Sequence, residues 1–242
     1  MTSNDRFCWY ELRTTDPGAA RGFYADVIGL RAEPGADVFC LEGRPVAGLS
    51  RLPERAAALG APSHWLGFVE VRDVEGATRR IVEAGGSLLG PVQTSARTLL
   101  RDPFGSVVAL RAGGAERSSG AVVWHELHTQ DPARAWALYG ALFGWRATET
   151  LDLGPELGAY HVFSWDEPGP SVGGMVGSAR MPHIHPHWLF SFRVEDLDAA
   201  LAKVRSLGGT VVEPRQLPSG ERVAACEDPQ GAAFALRAPA RG

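Results

Sequence analysis

At 242 residues, with 45% hydrophobic residues and a formal net charge of −4, the chain has room for two ordinary domains, each able to bury its own core. No basic cluster stands out, which argues against nucleic acid as a partner. No apolar run approaches the roughly 18 residues of a membrane span, no signal peptide is read, and Cys8, Cys40 and Cys226 lack disulfide, metal or redox spacing, so a cytoplasmic protein with reduced thiols is expected.

In chain order, one pattern recurs four times at fixed spacing: Asp16-Ala20-Gly29, Asp73-Ala77-Gly86, Asp131-Ala135-Gly144 and Asp196-Ala200-Gly209. A fixed spacing of this kind marks copies of one supersecondary unit. Each copy predicts a helix: Asp caps its start, Pro17 and Pro132 take the first helical position in two copies, and the Gly supplies a left-handed end. Apolar residues four, eight and eleven places after each Asp form one buried stripe. These are Ala20, Tyr24, Val27; Ala77, Ile81, Ala84; Ala135, Tyr139, Leu142; and Ala200, Val204, Leu207. Short strands are predicted before each Asp, at 9–14, 66–72, 124–129 and 189–194. The turns Asp102-Pro103-Phe104-Gly105 and Asp228-Pro229-Gln230-Gly231 lead into further strands at 107–110 and 232–236. Each unit is therefore read as strand, helix, then about three strands.

The units also pair. Residues 9–17, WYELRTTDP, match 124–132, WHELHTQDP, and His64-Trp65 matches His187-Trp188. The expected organisation is a domain at 1–112, a linker at 113–120 and a second domain at 121–242.

Four such units in two pairs, with the segment DPARAWALYGALFGW at 131–145 and the two Asp-Pro-x-Gly turns, resemble the vicinal oxygen chelate superfamily, which includes glyoxalase I, bleomycin-resistance proteins and extradiol dioxygenases. The resemblance implies an α+β fold: four βαβββ units forming two tandem domains, each a mixed sheet curled into a cup. It also implies where a divalent metal would sit in metal-binding members. The matching positions here are Trp9 and Trp124, Leu66 and Leu189, and Ala109 and Ala235, none of which binds such a cation. No metal and no other cofactor is therefore expected at the inherited site, and a relocated divalent metal is the lesser expectation. His183, His185 and His187 alternate and offer one such place; the plainer reading is a Pro-rich loop with solvated histidines.

Sorting the strands by face places Leu12 and Leu127 under the helices and sends Trp9, Glu11, Arg13, Trp124, Glu126 and His128 to the cup, joined by Leu189, Ser191 and Arg193. An aromatic and aliphatic cup with a few charges is the usual make-up of a small-molecule site. Glu126 and His128 are the candidate acid and base. The plainer reading is that each Glu closes a polar network with Arg13, Arg72, Arg193 or Arg237. His64-Trp65 and His187-Trp188 read either as an aromatic rim or as a Trp packed under the helices beside a strand-capping His. Gly173-Gly174 reads as a bulge or close packing. The expected function is binding of a small organic molecule. An isomerase, lyase or dioxygenase/hydroxylase-like enzyme using Glu126 and His128, or a relocated metal, is the alternative. Beyond that ligand or substrate, no nucleic acid or membrane partner is expected, and the chain is expected to be a monomer acting as an internal pseudo-dimer, or a homodimer.

Overall fold

A computed structural model describes residues 5–33, 35–90, 97–114, 118 and 120–240. The first half runs β1 (Arg6–Thr14), α1 (Pro17–Ile28), β2 (Val38–Leu41), β3 (Arg44–Arg51), α2 (Glu54–Ala58), β4 (His64–Val71), α3 (Val74–Glu83), β5 (Ser87–Leu88), β6 (Arg97–Arg101) and β7 (Val107–Ala112). The second runs β8 (Val122–His128), α4 (Pro132–Phe143), β9 (Arg146–Asp152), β10 (Ala159–Ser164), β11 (Gly173–Val176), a 3₁₀ turn (Gly177–Arg180), β12 (His187–Arg193), α5 (Leu197–Ser206), β13 (Thr210–Val211), β14 (Arg215–Gln216), β15 (Arg222–Glu227) and β16 (Ala233–Ala238). Two mixed sheets result, one per half of the chain. Their strand orders are β2-β3-β1-β4-β7-β6-β5 and β13-β15-β16-β12-β8-β11-β10-β9, with β14 paired to β15. The expected α+β fold, with one mixed sheet in each half of the chain, is thus observed. The first unit departs from the expected three strands after its helix. It has two, and the third is reduced to an isolated bridge between Arg31 and Cys40.

All four caps form as the sequence predicts. Asp16, Asp73, Asp131 and Asp196 accept from the backbone N–H of Ala19, Gly76, Arg134 and Ala199 at 2.8–3.1 Å. The helix ends differ between copies. Gly29 and Gly144 are left-handed C-caps, as expected. Helices α3 and α5 stop earlier, and their left-handed residues are Gly85 and Gly208, one place before the predicted Gly86 and Gly209. Those two glycines serve close packing instead. A Cβ on Gly86 would lie 2.7 Å from the Arg101 carbonyl oxygen, and one on Gly209 would lie 2.6 Å from that of Glu227. The shorter helices also explain why Ala84 and Leu207 are exposed, while every other predicted stripe residue is buried or at the edge of burial.

The chain packs as two compact units, and each draws on both halves of the sequence. One comprises Met1–Cys8, Gly67–Glu116 and Trp124–Trp188; the other comprises Trp9–Leu66, Arg117–Val123 and Leu189–Gly242. In the first, α3 lies on β6 and β7, and α4 on β10 and β11; in the second, α1 packs on β3 and α5, and α5 on β16. The same buried chain of hydrogen bonds recurs in both. Trp188 Nε1–H donates to the Tyr139 hydroxyl at 3.4 Å, which donates to Asp102 Oδ2 at 2.9 Å. Trp65 Nε1–H donates to the Tyr24 hydroxyl at 2.9 Å, which donates to Asp228 Oδ2 at 3.1 Å. The other carboxylate oxygen of each Asp accepts two backbone N–H groups of its own turn. The tyrosines expected to be packing residues are therefore also polar ties.

Tyr139→Phe leaves the buried Asp102 one donor short. A loss of about 1–3 kcal/mol in unfolding free energy is expected, measured by urea denaturation with the m-value unchanged; Tyr24→Phe should behave alike in the other unit.

Candidate functional site

Strand β8 carries Trp124, Glu126 and His128 on one face, with His125 and Leu127 buried on the other. Neighbouring β11 sets Gly174 opposite Glu126 and Val176 opposite His128. Gly174 is required there because a Cβ would overlap the ring of Tyr160, which reaches in from β10. Of the two readings of Gly173-Gly174, close packing is what the structure shows at Gly174.

The side chains lie in close sequence along this face. Trp124 Nε1–H donates to the Tyr160 hydroxyl at 3.0 Å, and that hydroxyl donates to Glu126 Oε2 at 2.7 Å. Glu126 Oε1 lies 3.2 Å from His128 Nε2, and His128 Nδ1 lies 2.5 Å from Ser178 Oγ on the 3₁₀ turn. The Glu126–His128 contact is a close approach without hydrogen-bond alignment, and His128 Nε2 has no hydrogen-bond partner among the described residues. The Glu126 and His128 side chains are 23% and 15% exposed, shielded enough to strengthen their interaction yet reachable from solvent.

His187, at the start of β12, stacks on His128 with ring centroids 4.6 Å apart and planes 4° from parallel. Its Nδ1–H donates to the His185 carbonyl at 2.7 Å, leaving Nε2 as an acceptor. Burial pushes His187 down to about 4, and the neighbouring His128 pushes the same way. The next residue, Trp188, is buried against Tyr139 and Trp145. The pair thus combines both sequence readings: the Trp packs under the helices and the His joins the polar face. The three alternating histidines do not converge. His183 has φ of +72° and is exposed, as is His185.

The N-terminal sheet repeats the register, with Glu11 opposite Gly48 on β3 and Arg13 opposite Ser50. Its chemistry differs. Arg13 Nε–H donates to Glu11 Oε1 at 2.8 Å and Ser50 Oγ–H donates to the same oxygen at 3.1 Å. This is the Glu–Arg network expected from sequence, formed through Arg13. Among the remaining candidates, Leu189 and Ser191 are buried, Arg193 is exposed, and Arg237 binds Glu221 at 2.6 Å. Reasoning from the sequence misses Tyr160 and Ser178. The signal for Tyr160 was Gly174, a residue without a side chain directly beside the candidate Glu; Ser178 left none, because its place depends on the turn after β11.

The positions at which the superfamily would hold a metal present hydrocarbon and indole: Leu66, Leu189, Ala109 and Ala235 are all buried, and Trp9 and Trp124 offer only an N–H donor. These residues do not fit a divalent cation. Among the described residues, no group of three or more His, Cys, Asp and Glu is arranged to hold one.

A family model described as "Glyoxalase-like domain" matches residues 9–110 and again 122–237. The chain belongs to the glyoxalase-like domain family. It is similar to "Putative glyoxylase CFP32" of Mycobacterium tuberculosis, 32% identical over 96% of this chain and 94% of that protein. It is also similar to "Anthracycline biosynthesis protein DauV" of a Streptomyces species, 30% identical over 94% of this chain and 91% of that protein. Among solved structures, the Mn(II)-bound glyoxalase of Novosphingobium aromaticivorans superposes with a TM-score of 0.63 at 14% identity, covering 99% of this chain and 83% of that one. Homoprotocatechuate 2,3-dioxygenase of B. fuscum gives 0.65 at 18%, covering 99% and 73%. These two share the fold; their identities are too low to carry chemistry across.

Gly174→Ala drives a methyl into the Tyr160 ring, so a loss of about 1–3 kcal/mol is expected, with the Tyr160–Glu126 bond broken in a crystal structure of the variant. The buried histidines set an acid limit: His125 and His187 titrate at about 4 in the fold against 6.5 ordinarily. Between those values the unfolded chain binds more protons, so stability falls as pH falls from 6.5 to 4, by up to about 3 kcal/mol per histidine. Denaturation midpoints across that window should show the slope, and His187→Gln should remove its share.

Proposed function

We propose that the chain binds a small organic molecule on the Glu126–His128 face of the C-terminal sheet and exchanges a proton with it. The observation that carries this reading is the 3.2 Å contact between the Glu126 carboxylate and His128 Nε2, held from both ends by Tyr160 and Ser178. A carboxylate fixed by a tyrosine hydroxyl and an imidazole fixed by a serine form an oriented acid–base pair. Isomerase- or lyase-type work on a carbon acid needs such a pair: Glu126 or His128 takes a proton from carbon, and the imidazolium or carboxylic acid so formed returns it to another position. The relatives named for glyoxylase activity and for anthracycline biosynthesis support a small organic substrate in general terms.

A second reading is binding without turnover. It is favoured by the hydrocarbon and indole side chains at the positions where metal-using members of the superfamily would place their ligands.

The test starts from a thermal-shift screen of small carbonyl and aromatic metabolites. Each binder is then incubated in deuterium oxide, and carbon-bound deuterium is read by mass spectrometry. Exchange is expected in at least one binder and should fall by about 10²-fold or more in Glu126→Gln and in His128→Gln, with melting temperatures kept. Binding with no exchange in any ligand would favour the second reading; exchange undiminished in both variants would sink the first.

A further inference from the structure

The N-terminal sheet holds a different set of groups at the equivalent place. Arg13 uses only Nε–H within the protein, on Glu11. Its two terminal nitrogens bond to no described residue and are not among the buried orphaned atoms. The Arg13 and Glu11 side chains are each only 17% exposed, so the guanidinium is held rather than waving in solvent. Glu11 is itself held by Ser50, whose Oγ–H donates to the same carboxylate oxygen. Trp9, two residues before Glu11 on the same face of β1, makes no hydrogen bond to a described residue. Its indole nitrogen would be 3.4 Å from a Cβ on Gly48, so the absence of a side chain there gives the ring its room.

His64 repeats the device seen at His187. Its Nδ1–H donates to the carbonyl two residues earlier, Pro62, at 2.9 Å, leaving Nε2 as an acceptor. Burial holds its basicity below the ordinary value, with Arg13 acting in the same direction.

We propose that Arg13, with Trp9 on the same face of the strand, forms a second ligand site that takes the carboxylate of a small aromatic acid. A planar guanidinium whose Nε–H is engaged and whose two terminal nitrogens bond to no described residue matches the two oxygens of a carboxylate, and the indole supplies an apolar wall with one N–H donor. His128 stands at the position equivalent to Arg13 in the other sheet. The two halves therefore select different ligand chemistry: an acid at Arg13, a proton-exchanging molecule at Glu126 and His128.

The probe is benzoate, titrated into the full chain labelled with nitrogen-15. Saturable shifts of the Arg13 Nε–H and Trp9 indole N–H signals are expected, and methyl benzoate should produce neither. Arg13→Gln should weaken benzoate binding, followed at the Trp9 signal, by at least about tenfold. Arg13→Lys keeps the charge and loses the fork, and should fall between the two; it also carries the test if the Gln variant does not fold. Glu126→Gln should leave benzoate binding unchanged, which separates this site from the one in the other sheet. Absence of a saturable shift, equal binding of methyl benzoate, or native affinity in both Arg13 variants would overturn the assignment.

Discussion

A buried aspartate that must be hydrogen-bonded is the constraint around which each packing unit is organised. Asp102 and Asp228 sit in tight turns before the last strand of each half, where burial pushes their carboxyl groups up and the hydrogen bonds they accept oppose it. Backbone N–H groups satisfy one oxygen. The other needs a donor, and the turn has none left to give. It comes from a tyrosine on a helix in the opposite half of the sequence, steadied by an indole N–H. Because leaving a buried carboxylate short of a donor is costly, the requirement ties helices of one half to turns of the other. The duplicated chain thereby forms one sheet per half while drawing each core from both.

With the scaffold fixed by that requirement, the faces of the sheets away from the helices are free to diverge. Glu11 and Glu126 occupy equivalent places, each opposite a glycine. The residue two places further along each strand decides the chemistry. Arginine at 13 forms an ion pair with Glu11. Histidine at 128 lies against Glu126 instead, with Tyr160 on the carboxylate and Ser178 on the ring. Duplication thus places different polar groups on equivalent positions of the same frame.

The relatives and structural neighbours fit this division between frame and site. Superposition over nearly the whole chain at identities of 14–18% is what a shared frame produces. Residues that would hold a metal in the superfamily are here leucine, alanine and tryptophan, so the chemistry proposed for this chain rests on its own polar groups.

The repeat spacing, the four Asp caps, the buried stripes and the alternating faces were legible in the sequence because each depends on residues within a dozen positions of one another. The family resemblance, carried by the same repeats, was legible for that reason too. A Glu–Arg network was legible as well, although the sequence left Arg13, Arg72, Arg193 and Arg237 as alternatives and the structure chose Arg13 for Glu11. The helix ends in the second and fourth copies were not, since Gly85 and Gly208 compete with the glycine beside them and the contact with the neighbouring strand decides which turns and which packs. Tyr160, Ser178 and the stacking of His187 on His128 were set by tertiary structure alone. They come from separate strands and a turn, and only the register of β8 against β11 and the bare backbone at Gly174 bring them within reach of Glu126. Local propensity and periodicity act through short sequence separations, whereas a hydrogen-bonded site depends on angstrom-scale placement of side chains tens of residues apart, which packing decides.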